Sequence, residues 1–186
     1  DVAVARRSPT QDVVLLLAEV GWSAAPFPVA AGAPEDIATG DLDRNGAADV
    51  VVAVQGVNEI SILLGDGGGA LGAADTYDVG AEQTGIDLTD FNGDGILDVA
   101  VAQEMPQSIA VGLGDGNGKF RDPYSDFTMG EMPQRLATGD FDNDGRPDVV
   151  VSAQAGADMA VLHINTFYNP CPRVSFARAG RLRVTT

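Results

Sequence analysis

The sequence predicts an all-β chain built from a repeated unit of four short antiparallel strands. Three observations predict it. An acidic motif recurs with its first Asp at 41, 90 and 140, a period of 49 and then 50 residues. A Gly-Asp-Gly element keeps the same phase, with Gly65 and Gly114 again 49 residues apart. Between these elements lie runs rich in Val, Ile and Leu, bounded by turn residues and without helical periodicity. Four strands in about 50 residues is the size of one β-propeller blade.

Each unit takes its strands in order. The first approaches the acidic loop, as in Asp36-Ile37-Ala38-Thr39, and the second leaves it, as in Val50-Val51-Val52-Ala53-Val54. The third, Ile60-Ser61-Ile62-Leu63-Leu64, ends at the Gly-rich hairpin, and the fourth lies near Thr76-Tyr77-Asp78-Val79. Little or no helix is expected. The opening Asp1-Val2-Ala3-Val4-Ala5 is identical to Asp98-Val99-Ala100-Val101-Ala102, and Asp1 stands 48 residues before Asp49. The chain is therefore expected to begin inside a blade: a partial blade at 1–35, blades at about 36–85, 86–134 and 135–165, and a non-repeat tail at 166–186. About four blades are visible. They are expected to form part of a six- to eight-bladed propeller rather than a closed ring on their own.

Composition narrows the chemistry. Hydrophobic residues make up 45% of the chain, enough for a core. The formal net charge is −16, and a strongly acidic surface disfavours nucleic acid. All the acidic residues precede Arg173, while Arg173, Arg178, Arg181 and Arg183 make the end basic. No run approaches the roughly 18 apolar residues of a membrane span. Cys171 is the only cysteine, so no internal disulfide forms. His163 is the only histidine, which excludes a multi-histidine metal site and leaves no catalytic constellation. We therefore expect no enzymatic activity, and a structural place for His163 in a strand. The Gly-Asp-Gly segments lack the Lys-Ser/Thr of a phosphate loop and suit hairpin turns. Trp22 and Phe27 are expected to pack between blades.

The excess acid has a pattern. Each loop reads Asp-x-[Asp/Asn]-x-[Asp/Asn]-Gly-x-x-Asp. Calcium takes about 6–8 hard oxygen ligands. Side chains at positions 1, 3 and 5 of a curled loop converge, glycine at position 6 permits the turn, the position 7 carbonyl adds an oxygen and the position 9 acid closes the shell. The expected ligands in the first loop are Asp41, Asp43, Asn45, the Ala47 carbonyl and Asp49. In the second they are Asp90, Asn92, Asp94, the Ile96 carbonyl and Asp98. In the third they are Asp140, Asp142, Asp144, the Arg146 carbonyl and Asp148. Three calcium sites are thus expected. An EF-hand is excluded because position 12 is Val52, Val101 or Val151, inside strand-like runs, where that motif needs Glu.

The words Gly40-Asp41-Leu42-Asp43, Thr89-Asp90-Phe91-Asn92-Gly93-Asp94-Gly95 and Gly139-Asp140-Phe141-Asp142-Asn143-Asp144-Gly145, each followed by an Asp-Val strand, resemble the FG-GAP repeat of integrin α-subunit propellers and its bacterial VCBS relatives. The resemblance covers about residues 1–165. It implies a propeller with calcium between the first and second strands. It also implies an extracellular, cell-surface or periplasmic location, and work in adhesion, carbohydrate binding or a larger enzyme. The Gly-Ala-Pro often found after the second strand of integrin repeats is absent here, which makes the bacterial form the nearer match.

Alternation of strand direction puts the acidic loops and Gly-Asp-Gly hairpins on one face. The opposite face, with residues 55–59, 81–85, 103–107, 130–133 and 154–158, is expected to meet a protein or carbohydrate ligand. The leading expectation is a non-enzymatic binding module. The alternatives are a propeller domain of a secreted polysaccharide-active enzyme such as a lyase, and an architectural subunit of a surface assembly.

Overall fold

The computed structural model describes residues 2–6, 12–17, 23–29, 32–121, 125–129, 132–141, 143–153, 159–163 and 175–178. These contain no helix and form four antiparallel sheets. The first has three strands, β1 (Val2–Arg6), β2 (Asp12–Leu17) and β3 (Ser23–Pro28). The second has four, β4 (Ala33–Gly40), β5 (Asp49–Gln55), β6 (Glu59–Leu63) and β7 (Asp75–Asp78). The third repeats it with β8 (Gln83–Thr89), β9 (Asp98–Gln103), β10 (Ser108–Gly112) and β11 (Ser125–Thr128). The fourth is β12 (Pro133–Gly139), β13 (Asp148–Ala153), β14 (Met159–His163) and β15 (Ser175–Arg178). Each is a meander in chain order, as a propeller blade requires.

β15 departs from the sequence expectation. It pairs antiparallel with β14 and completes the fourth sheet, although it lies in the segment assigned to a non-repeat tail. No Gly-Asp-Gly hairpin precedes it, so its sequence lacks the mark that the other sheets carry there.

The sheets stack face to face because their middle strands are apolar on both sides, unlike a half-exposed alternating strand. In β5, Val50, Val52 and Val54 join Val13 and Phe27 of the first sheet in one core. Val51 and Ala53 point the other way and join Ile86, Val99 and Val101 of the third sheet. β9 repeats the scheme: Ala100 and Ala102 turn toward Val149 and Val151 of the fourth sheet. Burying each Val side chain contributes roughly 1.5–3 kcal/mol, which makes these layers the main adhesive between sheets.

The first strands β4, β8 and β12 pack side by side. Each carries a register shift at the same place in its unit, Pro34/Asp36, Gln83/Gly85 and Pro133/Arg135, and such bulges sharpen strand twist. At Gly85 a Cβ would lie 3.2 Å from the Arg135 Cα, so the close approach of β8 to β12 leaves little room for a side chain. Polar links tie neighbouring sheets. Asp36 accepts from Ile86 N–H (3.2 Å) and Asp87 accepts from both the N–H and the hydroxyl of Thr138 (2.8 and 2.9 Å).

Candidate metal loops

The acidic loops connect first to second strands at 41–48, 90–97 and 140–147. The position 1 carboxylate organises each by accepting backbone N–H groups from positions 5 and 6, as short acidic side chains do in turns. Asp41 takes them from Asn45 and Gly46 (both 3.0 Å), Asp90 from Asp94 and Gly95 (3.1 and 2.7 Å), and Asp140 from Asp144 and Gly145 (3.1 and 3.0 Å). The position 5 side chain then accepts from position 7: Asn45 from Ala47 N–H, Asp94 from Ile96, Asp144 from Arg146. Glycine at position 6 adopts φ of +88°, +80° and +85° at Gly46, Gly95 and Gly145, a left-handed turn that a Cβ disfavours. Position 4 is left-handed too, with φ of 64°, 76° and 59° at Arg44, Gly93 and Asn143. The sequence motif did not reveal that second constraint, although Gly and Asn at two of the three positions are its signal.

The position 9 acid is the most buried part of each loop: Asp49 and Asp98 are 0% exposed and Asp148 2%. It clamps the N–H of position 2, in Leu42 (2.7 Å), Phe91 (2.9 Å) and Phe141 (3.0 Å). In the first two loops its other oxygen accepts from the hairpin glycine, Gly65 N–H (2.7 Å) or Gly114 N–H (2.8 Å). The Asn45 amide also donates to the Gly65 carbonyl (3.0 Å). The two phase-locked motifs of the sequence therefore touch. A Cβ on Gly65 would stand 2.2 Å from the Ala48 carbonyl oxygen, and one on Gly114 2.3 Å from that of Leu97. The hairpin glycines are needed for this approach, a role beyond turn formation.

In the first loop Asp41, Asp43 and Asp49 bring carboxylate oxygens within 4.8 Å of one another, a group able to hold a metal ion. Among the described residues it is the only such group. Asn45 lies against it, donating to Asp43 (3.0 Å). In the second loop the Asn92 amide donates to Asp94 (3.0 Å), while Asp90 and Asp98 hold the backbone contacts given above. In the third, Asp142 lies outside the described residues, and Asp140, Asp144 and Asp148 repeat the backbone contacts of their counterparts.

Burial pushes the Asp98 carboxyl up to about 6, with the charges of Asp94 and Asp90 adding to it, against the opposing N–H bonds from Gly114 and Phe91. Burial likewise raises Asp49, and the charge of Asp43 adds to it. Asp66 differs. Its carboxylate is held below the usual range by the N–H groups of Ala70 and Gly68 in its own hairpin.

The opposite face carries a feature peculiar to the third sheet. Gln83, Gln103 and Ser108 are all buried, and Ser108 donates to Gln103 (2.8 Å), which in turn donates to the Val79 carbonyl. Their repeat counterparts are Pro34, Val54 and Glu59 in the second sheet.

Four-strand meanders stacked through their middle strands, each with an acidic loop between first and second strands, define a chain of β-propeller blades. The FG-GAP-like repeat matches residues 41–101 and again 90–151. Each match starts at the first Asp of one loop and ends in the strand after the next, and together they span more than half of the chain. The chain belongs to the FG-GAP-like repeat family. A search of curated proteins finds no significant match.

Proposed function

We propose that this chain is a calcium-stabilised, non-enzymatic propeller module of an extracellular, cell-surface or periplasmic binding protein. The observation that supports it is the convergence of Asp41, Asp43 and Asp49 oxygens within 4.8 Å. Carboxylates this close repel one another, and a bound cation offsets that repulsion. The donors are all hard oxygens, which favour calcium over softer-ligand metals. Asp41, Asp43, Asn45, the Ala47 carbonyl and Asp49 would hold the ion in the first loop. Asp90, Asn92, Asp94, the Ile96 carbonyl and Asp98 would do so in the second. Asp140, Asp142, Asp144, the Arg146 carbonyl and Asp148 are the corresponding set in the third. The ion's role is structural: it fixes the hairpin between first and second strands and, through the position 9 acid, the Gly-rich hairpin beside it.

The face opposite the loops is then free for a protein or carbohydrate ligand, because its turns carry no duty toward the metal. Binding to the folded state alone adds RT ln(1 + [L]/Kd), about 2.7 kcal/mol per site at 100 times Kd. The test is thermal melting with chelator, calcium or magnesium. We expect chelator to lower Tm and calcium to restore it more fully than magnesium. A melting curve identical in chelator and calcium would refute the metal reading. Turnover of a polysaccharide by the protein would overturn the non-enzymatic one.

A further inference from the structure

Two of the acidic loops contain an Asn-Gly pair, Asn45-Gly46 in the first and Asn92-Gly93 in the second. A third pair, Asn117-Gly118, lies between β10 and β11. Such a pair is labile when the chain around it is unrestrained, because no side chain shields the glycine nitrogen. That nitrogen attacks the asparagine Cγ. An N–Cγ bond forms, the bond from Cγ to Nδ2 breaks, and the side-chain nitrogen leaves as ammonia with the glycine proton. Water then opens the cyclic imide. Cleavage at the side-chain carbonyl gives aspartate. Cleavage at the main-chain carbonyl gives isoaspartate, which adds a carbon to the backbone.

The acidic loops engage both reacting groups. Gly46 N–H donates to Asp41 (3.0 Å) and Gly93 N–H to Asp90 (2.7 Å), so each attacking nitrogen is turned toward a carboxylate. The Asn45 amide donates to Asp43 and to the Gly65 carbonyl (both 3.0 Å), and its oxygen accepts from Ala47 N–H (2.6 Å). Asn92 donates to the Asp94 carboxylate (3.0 Å) and accepts from Asp94 N–H (2.8 Å). Asn117 is exposed, with one long amide contact to the Asp115 carbonyl (3.3 Å), while Gly118 N–H donates to the carbonyl of the buried Leu42 (3.2 Å). In the two acidic loops the restraints end largely on Asp41, Asp43, Asp90 and Asp94, carboxylates whose mutual repulsion a cation offsets.

We propose, resting on the calcium reading above, that Asn45 and Asn92 are deamidation sites guarded by the ion in their own loop, so that calcium loss leaves a permanent mark on the chain. The third loop has no Asn-Gly pair, since Asn143 precedes Asp144, and is exempt. Aspartate at position 5 is what the other loops carry, in Asp94 and Asp144, but isoaspartate shifts the spacing that makes positions 1, 3 and 5 converge. An aged loop therefore does not recover its ion. Reaction through an opened loop that cannot hold the ion slows by the factor 1 + [L]/Kd, about 100-fold at 100 times Kd.

The test is peptide mapping by mass spectrometry of the 186-residue chain aged at mildly alkaline pH, beside calorimetry of calcium binding to the fresh protein. In chelator Asn45 and Asn92 should convert, and their rates should fall in proportion to free calcium once it exceeds Kd. Asn117, outside the acidic loops, should respond far less. In urea, where the loops are gone, calcium and chelator should give equal rates. Asp43→Ala should expose Asn45 to conversion in calcium and leave Asn92 protected. Calcium that binds but leaves the Asn45 and Asn92 rates unchanged overturns the proposal and spares the metal reading. So does an equal calcium effect on all three asparagines, or protection of Asn45 that survives Asp43→Ala. Calcium that does not bind overturns both.

Discussion

Asp49 separates the structural work of the acidic loop from its proposed metal work. It is fully buried and receives two backbone N–H bonds of 2.7 Å, from Leu42 and Gly65. Hydrogen bonds to a charged group are each worth about 1.5–3 kcal/mol, so Asp49→Ala removes about 3–6 kcal/mol and leaves two N–H groups without an acceptor. Relief of the buried charge beside Asp43 returns part of this, so the net loss expected in chelator is about 3 kcal/mol. Asp43→Ala is the control. Asp43 is a more exposed member of the same carboxylate group, so in chelator its loss should be neutral or slightly stabilising. In calcium both variants should lose the increment contributed by the first site. The assay is urea unfolding of wild type and both variants, with chelator and with calcium. If Asp49→Ala in chelator lies within about 1 kcal/mol of wild type, the clamp described here does not hold the loop.

Further outcomes follow from the same geometry. Gly65→Ala drives a Cβ to 2.2 Å from a carbonyl oxygen and should cost about 3 kcal/mol, whereas Gly46→Ala meets no atom within 4 Å and should cost only the left-handed φ, about 1–2 kcal/mol. Chemical denaturation ranks the pair, and equal losses would contradict this account. Arg44→Asn replaces a left-handed arginine with a residue that tolerates the conformation and should raise Tm by about 2–4 °C in a differential scan. In chelator, the raised Asp98 carboxyl contributes stability that is full below about pH 3.9 and lost as pH rises through about 6. The urea midpoint of metal-free wild type should therefore carry a falling contribution between about pH 4 and about pH 6, and Asp98→Asn should remove that contribution. A wild-type-to-variant difference that is constant with pH would refute the assignment.

The fold was legible because its marks repeat. Asp41, Asp90 and Asp140 set the phase, and Val50–Val54 and Val99–Ala102 show strands apolar on both faces. The burial of Leu42 and Phe91 is equally plain in retrospect, since an apolar residue inside an acidic loop has few other uses. What did not show were facts that depend on a neighbour. β15 lacks a motif and is defined by its pairing with β14. The contact of Gly65 with the acidic loop brings together residues that a motif scan treats separately, although their shared period was the trace of it. The bulges at Pro34, Gln83 and Pro133 do not all fall on one residue type, proline at two and glutamine at the third, because a register shift belongs to the pairing and not to one strand. The left-handed position 4 was hidden by Arg44, whose conformation the surrounding bonds impose.

Backbone N–H bonds between sheets run one way along the chain, although the Tyr77 and Thr84 hydroxyls donate the other way, to the Arg121 and Pro133 carbonyls. Asp36, Leu42 and Asp87 all act as acceptors for donors that come about 50 to 76 positions later, at Ile86, Gly118 and Thr138. During synthesis a chain leaves the ribosome from its amino end, so each of these three acceptors is in place before its donor emerges. Every new unit can thus dock on a finished template, and contacts form mostly between consecutive units. Such assembly needs no search among distant segments, which keeps nascent apolar strands covered at each stage of translation.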